Sequence, residues 1–192
     1  KLTCRPSLGR LFDCLNIYQG LMSATAETGK PLDLTITAPV PEHGVAVHDL
    51  VAACPPLDRN SIYANLLQCS HFAPTSAIAL RGDEVVGWVS GYIPPAAQAT
   101  WFLWQVAVAP VARGRGLAQR LIDDILARPV CAGVRFLETT ITPDNEASWR
   151  LFRGVARRLG APMTHEAWFD RDRHFDGRHD TEMLVRIGPF AP

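Results

Sequence analysis

Gly114 and Gly116, flanked by Arg113 and Arg115, stand where a strand-like run over 101–109 gives way to Leu117, Leu121, Ile122, Ile125 and Leu126 at helical spacing. That order of residue types makes an anion cradle. Backbone N–H groups converge at a helix N-terminus, the helix dipole favours negative charge there, and glycine lets a phosphate approach the chain. The two arginines add charge-assisted hydrogen bonds. The same residues also read as a solvated charge pair beside a capping turn, or as a piece of an RNA-binding Arg–Gly tract. Such a tract repeats, whereas this one occurs once, in the strand-to-helix context that glycine phosphate motifs require. Its spacing fits neither G-x-x-x-x-G-K-[ST] nor G-x-G-x-x-G. A second chemically loaded stretch holds His174, Asp176, His179, Asp180 and Glu182. These are metal-ligand types without regular ligand spacing, and no metal is expected.

The elements that must position these residues follow from periodicity. A β-leaning run over 34–37 precedes a helix that starts near Glu42, carries Val45, Val47, Leu50 and Val51, and stops before Pro55. Asn60 reads as the N-cap of a second helix with Ile62, Tyr63, Leu66 and Leu67 on one stripe. Strands over 76–81 and 85–93 flank Gly82 and Asp83 as a hairpin. The strand over 101–109, ended by Pro110, feeds the glycine turn and its helix, then a strand over 134–140, which favours a parallel pair with a right-handed crossover. A further helix runs to about Leu159 with Trp149, Phe152, Val155 and Ala156 on its apolar face and Gly160 as its stop. Runs over 163–169 and 181–187 form a last antiparallel hairpin joined by the charged loop 170–180.

Composition excludes several classes. The 192 residues carry 19 Lys plus Arg against 19 Asp plus Glu, so no overall basic field exists to hold nucleic acid or an anionic membrane. No run approaches the ~18 apolar residues that a membrane-spanning helix needs. Cys4, Cys14, Cys54, Cys69 and Cys131 are odd in number, far apart and without a C-x-x-C pair, which fits a reducing cytoplasm. Residues 1–30 lack a signal-peptide apolar region and are expected to be disordered or extraneous, with translation starting at Met22. Residues 31–192 are expected to form a single domain.

The glycine turn, as Arg113-x-x-Gly116-x-Ala118, resembles the R/Q-x-x-G-x-G/A motif of the GNAT superfamily of acyl-CoA N-acetyltransferases. The order of elements from Leu34 to Ile187 fits the same superfamily. More narrowly, Pro56-Leu-Asp58-Arg-Asn60-Ser61-Ile-Tyr63, Val89-Ser-Gly-Tyr-Ile-Pro-Pro95, Trp104-Gln-Val-Ala-Val108, Leu137-Glu-Thr-Thr-Ile-Thr-Pro-Asp-Asn145 and His179-Asp-Thr-Glu182 are similar to segments of the L-2,4-diaminobutyrate acetyltransferases of ectoine biosynthesis. The resemblance implies an α/β fold with a mixed central sheet of six or seven strands flanked by about four helices. It implies acetyl-CoA as co-substrate, with acetyl passing to the γ-amino group of L-2,4-diaminobutyrate to give N4-acetyl-L-2,4-diaminobutyrate. It also implies a cytoplasmic homodimer without nucleic-acid or membrane partners.

Site roles follow from the same resemblance. Arg113, Gly114, Arg115, Gly116, Leu117 and Ala118 would cradle the CoA pyrophosphate, Val106, Ala107 and Val108 would pair by backbone with pantetheine, and Asn145 would open the second CoA-contacting segment. Asp58 and Tyr63 are the substrate contacts, with a helix-terminal charge and simple core packing as their respective structural alternatives. Trp104 would wall the substrate pocket or pack inward. Glu138, Glu182 and His179 are the candidate proton acceptors, and Glu138 is equally a charge paired with an arginine. Phe152 occupies the position where many relatives carry a thiolate-protonating tyrosine, which leaves that proton to solvent. A GNAT enzyme for another diamine or polyamine, and a CoA-binding module without turnover, remain open from sequence.

Overall fold

The structure, a computed structural model, describes residues 33–55 and 57–191; the expectations for 1–30, including Cys4, Cys14 and Met22, lie outside them. Seven strands form one sheet in the order β1-β2-β3-β4-β5-β7-β6: β1 (Thr35–Thr37), β2 (Ala77–Arg81), β3 (Glu84–Tyr92), β4 (Thr100–Val108), β5 (Phe136–Ile141), β6 (Met163–Phe169) and β7 (Glu182–Ile187). Only the β4–β5 pair is parallel. Its crossover is α3 (Leu117–Leu126). The other helices among the described residues are α1 (Gly44–Ala52), α2 (Ile62–Ser70), α4 (Glu146–Leu159) and the short α5 (Arg171–Phe175). Among the described residues, no helix is long and apolar enough to cross a membrane.

Side-chain alternation along β3 divides the core into two layers. Trp88 faces α1, where Val47, Leu50 and Val51 pack with Ile78 and Ala107. Gly87 faces α3. A Cβ there would stand 3.0 Å from Leu117 and 3.1 Å from Leu121, so the missing side chain lets the helix settle on the sheet. Arg128 locks the end of α3 to the β2 entry: its guanidinium pairs with Asp124 and donates to the carbonyl oxygens of Pro74 (3.0 Å) and Ser76 (2.6 Å).

Three sequence expectations are corrected. Ser61, not Asn60, caps α2, its hydroxyl accepting from Ala64 N at 3.1 Å, while Asn60 turns to the sheet. The expected stripe of that helix is also displaced, since Ile62 and Tyr63 are exposed and Asn65, Gln68 and Cys69 are buried. One bond at 2.9 Å between their amides, from Asn65 Nδ2 to Gln68 Oε1, offsets part of the cost of burying Asn65 and Gln68. The charged loop 170–180 contains α5, nucleated by Asp170, whose carboxylate accepts from the backbone N–H groups of Asp172 and Arg173.

Candidate active site

The parallel β4–β5 ladder stops after Phe102↔Glu138, although β4 runs on to Val108 and β5 to Ile141. The two strands therefore splay, and from Leu103 onward the β4 edge facing β5 has no ladder partner. A cavity of about 790 Å³ opens in this gap, with Leu103, Trp104, Gln105 and Val106 on one wall and Thr139, Thr140 and Ile141 on the other. A β-bulge shapes the first wall. Ser90 pairs with Gln105 and Gly91 with Leu103, so Trp104 is an extra residue with no partner on β3. The bulge turns the indole outward, 46% exposed on the cavity wall, rather than into the core. Behind it, Trp101 Nε1 donates to Thr75 O at 3.1 Å, and Thr75 Oγ1 donates to Gly91 O at 2.7 Å.

Three titratable side chains meet on the cavity wall. His179 Nε2 lies 3.4 Å from Asp58 Oδ2 and 3.8 Å from Glu182 Oε1. Its other ring nitrogen, Nδ1, donates to Asp180 O at 2.7 Å, which turns the Nε2 lone pair of the neutral ring toward the two carboxylates. Three acceptors around one point attract a cation. The Asp180 carbonyl, followed by the carboxylates of Asp58 and Glu182, raises the His179 pKa against the opposing pull of burial. Burial raises that of Glu182, against a hydrogen bond from Thr140 and the charge of His179. Glu182 Oε2 is buried without a hydrogen-bond partner. Arg171, whose guanidinium lies 4.0 Å from the Asp180 carboxylate, and Arg178, paired with Asp176 at 3.2 Å, also line the cavity.

The structure thus brings together Asp58, Trp104, His179 and Glu182. It does not bring Tyr63, which is 69% exposed and outside the cavity lining. Glu138 is also elsewhere: it forms an ion pair with Arg186 and lines a separate groove with Trp168 and His165, because its β7 neighbour is Arg186 rather than Glu182. The arginine-paired alternative for Glu138 is the one the fold adopts.

On the cofactor side, Gly114 and Gly116 have φ of +71° and +69°, and a Cβ on either would meet nothing within 4 Å. The chain there is open in front of the α3 N-terminus. Arg113 Nε donates to Val108 O at 2.9 Å, bracing the turn against β4. Ala107 is buried, leaving only its main chain for a ligand, and the Val108 carbonyl is already engaged by Arg113. The 113–118 turn itself lies outside the lining of the cavity, whose β4 wall ends at Val106. Asn145 caps α4 by accepting from Ser148 N at 3.1 Å and lines the cavity together with Phe152. The unpartnered β4 edge, the open glycine turn and the α4 N-terminus suit an elongated phosphate-bearing thioester. Among the described residues, no group of three or more His, Cys, Asp or Glu is placed to hold a metal.

Sequence reasoning missed Gln105, Thr140 and Arg171. Gln105 was visible as an amide within an apolar strand, but its partners lie 45 and 47 residues away and leave no local signal.

The acetyltransferase (GNAT) family profile matches residues 45–156. The L-2,4-diaminobutyric acid acetyltransferase of Methylotuvimicrobium alcaliphilum is 52% identical over 164 residues, 85% of this chain and 95% of that protein. That of Halomonas elongata is 51% identical over 158 residues, 82% of each. Among solved structures, the diaminobutyrate acetyltransferase EctA from Paenibacillus lautus, in complex with its substrate L-2,4-diaminobutyric acid and coenzyme A, aligns with a TM-score of 0.80 and 35% identity. The alignment covers 84% of this chain and 98% of that one.

Proposed function

This chain belongs to the acetyltransferase (GNAT) family, in its L-2,4-diaminobutyric acid acetyltransferase branch, and from that premise we infer how its cavity works. The protein is an acetyl-CoA-dependent N-acetyltransferase that acetylates L-2,4-diaminobutyrate. The amine acetylated is the γ-nitrogen, giving N4-acetyl-L-2,4-diaminobutyrate and CoA. The observation that carries the site assignment is the meeting of Asp58, His179 and Glu182 on one wall of the β4–β5 gap.

An ammonium cannot attack a thioester, so the site must hold a cation and then take one proton from it. Asp58 and Glu182 supply the charge that holds the γ-ammonium, and Trp104 supplies a wall and a π face. Arg171 supplies the positive counterpart for the α-carboxylate. The departing proton goes to the Glu182–His179 pair, with the more exposed His179 ring as its route to solvent. The free γ-amine attacks the thioester carbonyl carbon, a C–N bond forms, the C–S bond breaks, and CoA leaves as thiolate. Unpaired N–H groups of β4 in the gap are suited to stabilise the thioester oxygen as it gains charge. Phe152 on the cavity wall offers no proton, and solvent protonates the thiolate. The turn over 113–118 and the Asn145 end of α4 hold the cofactor.

The reading extends to ectoine biosynthesis and osmoprotection, to a cytoplasmic location consistent with the scattered cysteines, and to a homodimer, for which exposed Trp168 and Phe169 on β6 offer surface. Thiol release from acetyl-CoA with diaminobutyrate, ornithine, lysine and putrescine, followed by mass spectrometry of each product, tests the substrate assignment. Diaminobutyrate is expected to give the highest kcat/KM. A preference for putrescine, which lacks the carboxylate, would reject the assignment in favour of a polyamine substrate.

A further inference from the structure

Asp58 sits on a stretch, 57–61, that belongs to no helix or strand, and its side chain is largely exposed. A carboxylate on such a stretch captures an amine only if something fixes its main chain. Two hydrogen bonds join residues 58–60 to the sheet, and both end on one side chain. Gln105 Nε2 donates to Asp58 O at 2.9 Å, and Gln105 Oε1 accepts from Asn60 Nδ2 at 3.2 Å. The Gln105 residue is only 8% exposed, so both bonds form where little water competes. Gln105 lies directly after the Trp104 bulge, on the strand whose free edge faces the thioester side of the gap.

We propose that Gln105 is a positioning residue for amine capture. Its amide fixes the Asp58 loop at a set distance from β4, and so fixes the γ-nitrogen relative to the carbonyl it attacks. The inference rests on the reading that Asp58 holds the substrate ammonium. The same amide explains why Asn60 leaves the capping position to Ser61: its side chain is committed to the sheet. Glutamine suits this task because one planar group presents a donor and an acceptor side by side. Glutamate keeps the acceptor and loses the donor, and methionine fills the space with neither.

The test compares Gln105→Met, Asp58→Asn and the double variant, with KM for diaminobutyrate and for acetyl-CoA measured separately. Gln105→Met is expected to raise KM for diaminobutyrate about tenfold, the scale of two lost buried hydrogen bonds, and to leave KM for acetyl-CoA unchanged. Since Gln105 acts through Asp58, the double variant is expected to be no worse than Asp58→Asn alone. Multiplying effects, or equal movement of both KM values, would overturn the proposal. A raised KM in Asp58→Asn with an unchanged one in Gln105→Met defeats the positioning role alone, whereas an unchanged KM in Asp58→Asn defeats the capture reading beneath it. Should Gln105→Met fail to fold, Asn60→Ala removes one of the two tethers from the loop side. It is expected to raise KM for diaminobutyrate about threefold, and no change there counts against the proposal.

Discussion

Replacing Glu182 by glutamine keeps the shape of the side chain and its capacity to accept the Thr140 hydrogen bond, but removes the carboxylate that receives the amine proton. A positioned general base is worth about 10²–10⁴ in rate. Glu182 merits a large share, because burial raises its proton affinity and leaves Oε2 without a competing partner. His179 Nε2 remains only 3.8 Å away as a substitute acceptor, which holds the loss below the upper end. The expected effect of Glu182→Gln is a fall in kcat of about 10²–10³, or roughly 2.7–4 kcal/mol in the barrier. KM for acetyl-CoA should be unchanged, because Glu182 lies on β7 and the glycine turn at the start of α3. Continuous thiol release at saturating concentrations of both substrates measures this, with thermal denaturation confirming the fold. A kcat within threefold of the parent would refute the assignment of Glu182 as proton acceptor.

Other expectations follow from the same geometry. Gly116→Val forces a branched side chain into φ +69° at the head of α3, and is expected to raise KM for acetyl-CoA at least tenfold with little change in KM for diaminobutyrate, as steady-state kinetics would reveal. The His179 proton affinity is raised first by the Asp180 carbonyl and then by Asp58 and Glu182, so the acid limb of kcat/KM should lie above the ordinary histidine value of about 6.5. Asp58→Asn removes one of those causes, and a pH–rate series should show the limb moving to lower pH. The stability contribution of His179 has the same sign: it is present below about 6.5 and is lost as pH rises through the raised folded value. Melting curves of parent and His179→Gln should therefore differ most in acid and converge in alkali. Arg128→Ala strips charge-assisted bonds from the Pro74 and Ser76 carbonyls and is expected to cost about 2–3 kcal/mol in urea denaturation, with KM values unmoved.

Much of the fold is legible because its signals are local. The Asn145 cap, the Gly160 stop, the Gly82 turn and the glycine pair before α3 are backbone requirements met by particular residue types a few positions apart. Asp58, His179 and Glu182 were visible as candidates from the resemblance, and long-range strand order brings them together. What stayed hidden depends on partners distant in sequence. Glu138 could not be separated from Glu182 as a base, because that depends on which β7 residue stands opposite it. Tyr63 sat on an apparent apolar stripe, but the Ser61 cap and the mutual pairing of Asn65 and Gln68 turned the helix so that an amide face is buried. The bulge that re-aims Trp104 is a one-residue register shift whose adjacent glycine, Gly91, lies on the opposite strand and has its partner 12 positions later in the sequence.

A crystal structure with coenzyme A and L-2,4-diaminobutyrate together bears most directly on the claim that the amine is captured in the splayed β4–β5 gap. The γ-nitrogen is predicted within hydrogen-bond distance of Glu182 or Asp58, with the pyrophosphate against 113–118. Diaminobutyrate seated in the Glu138–Arg186 groove, or a γ-nitrogen facing away from Glu182 and Asp58, would contradict it.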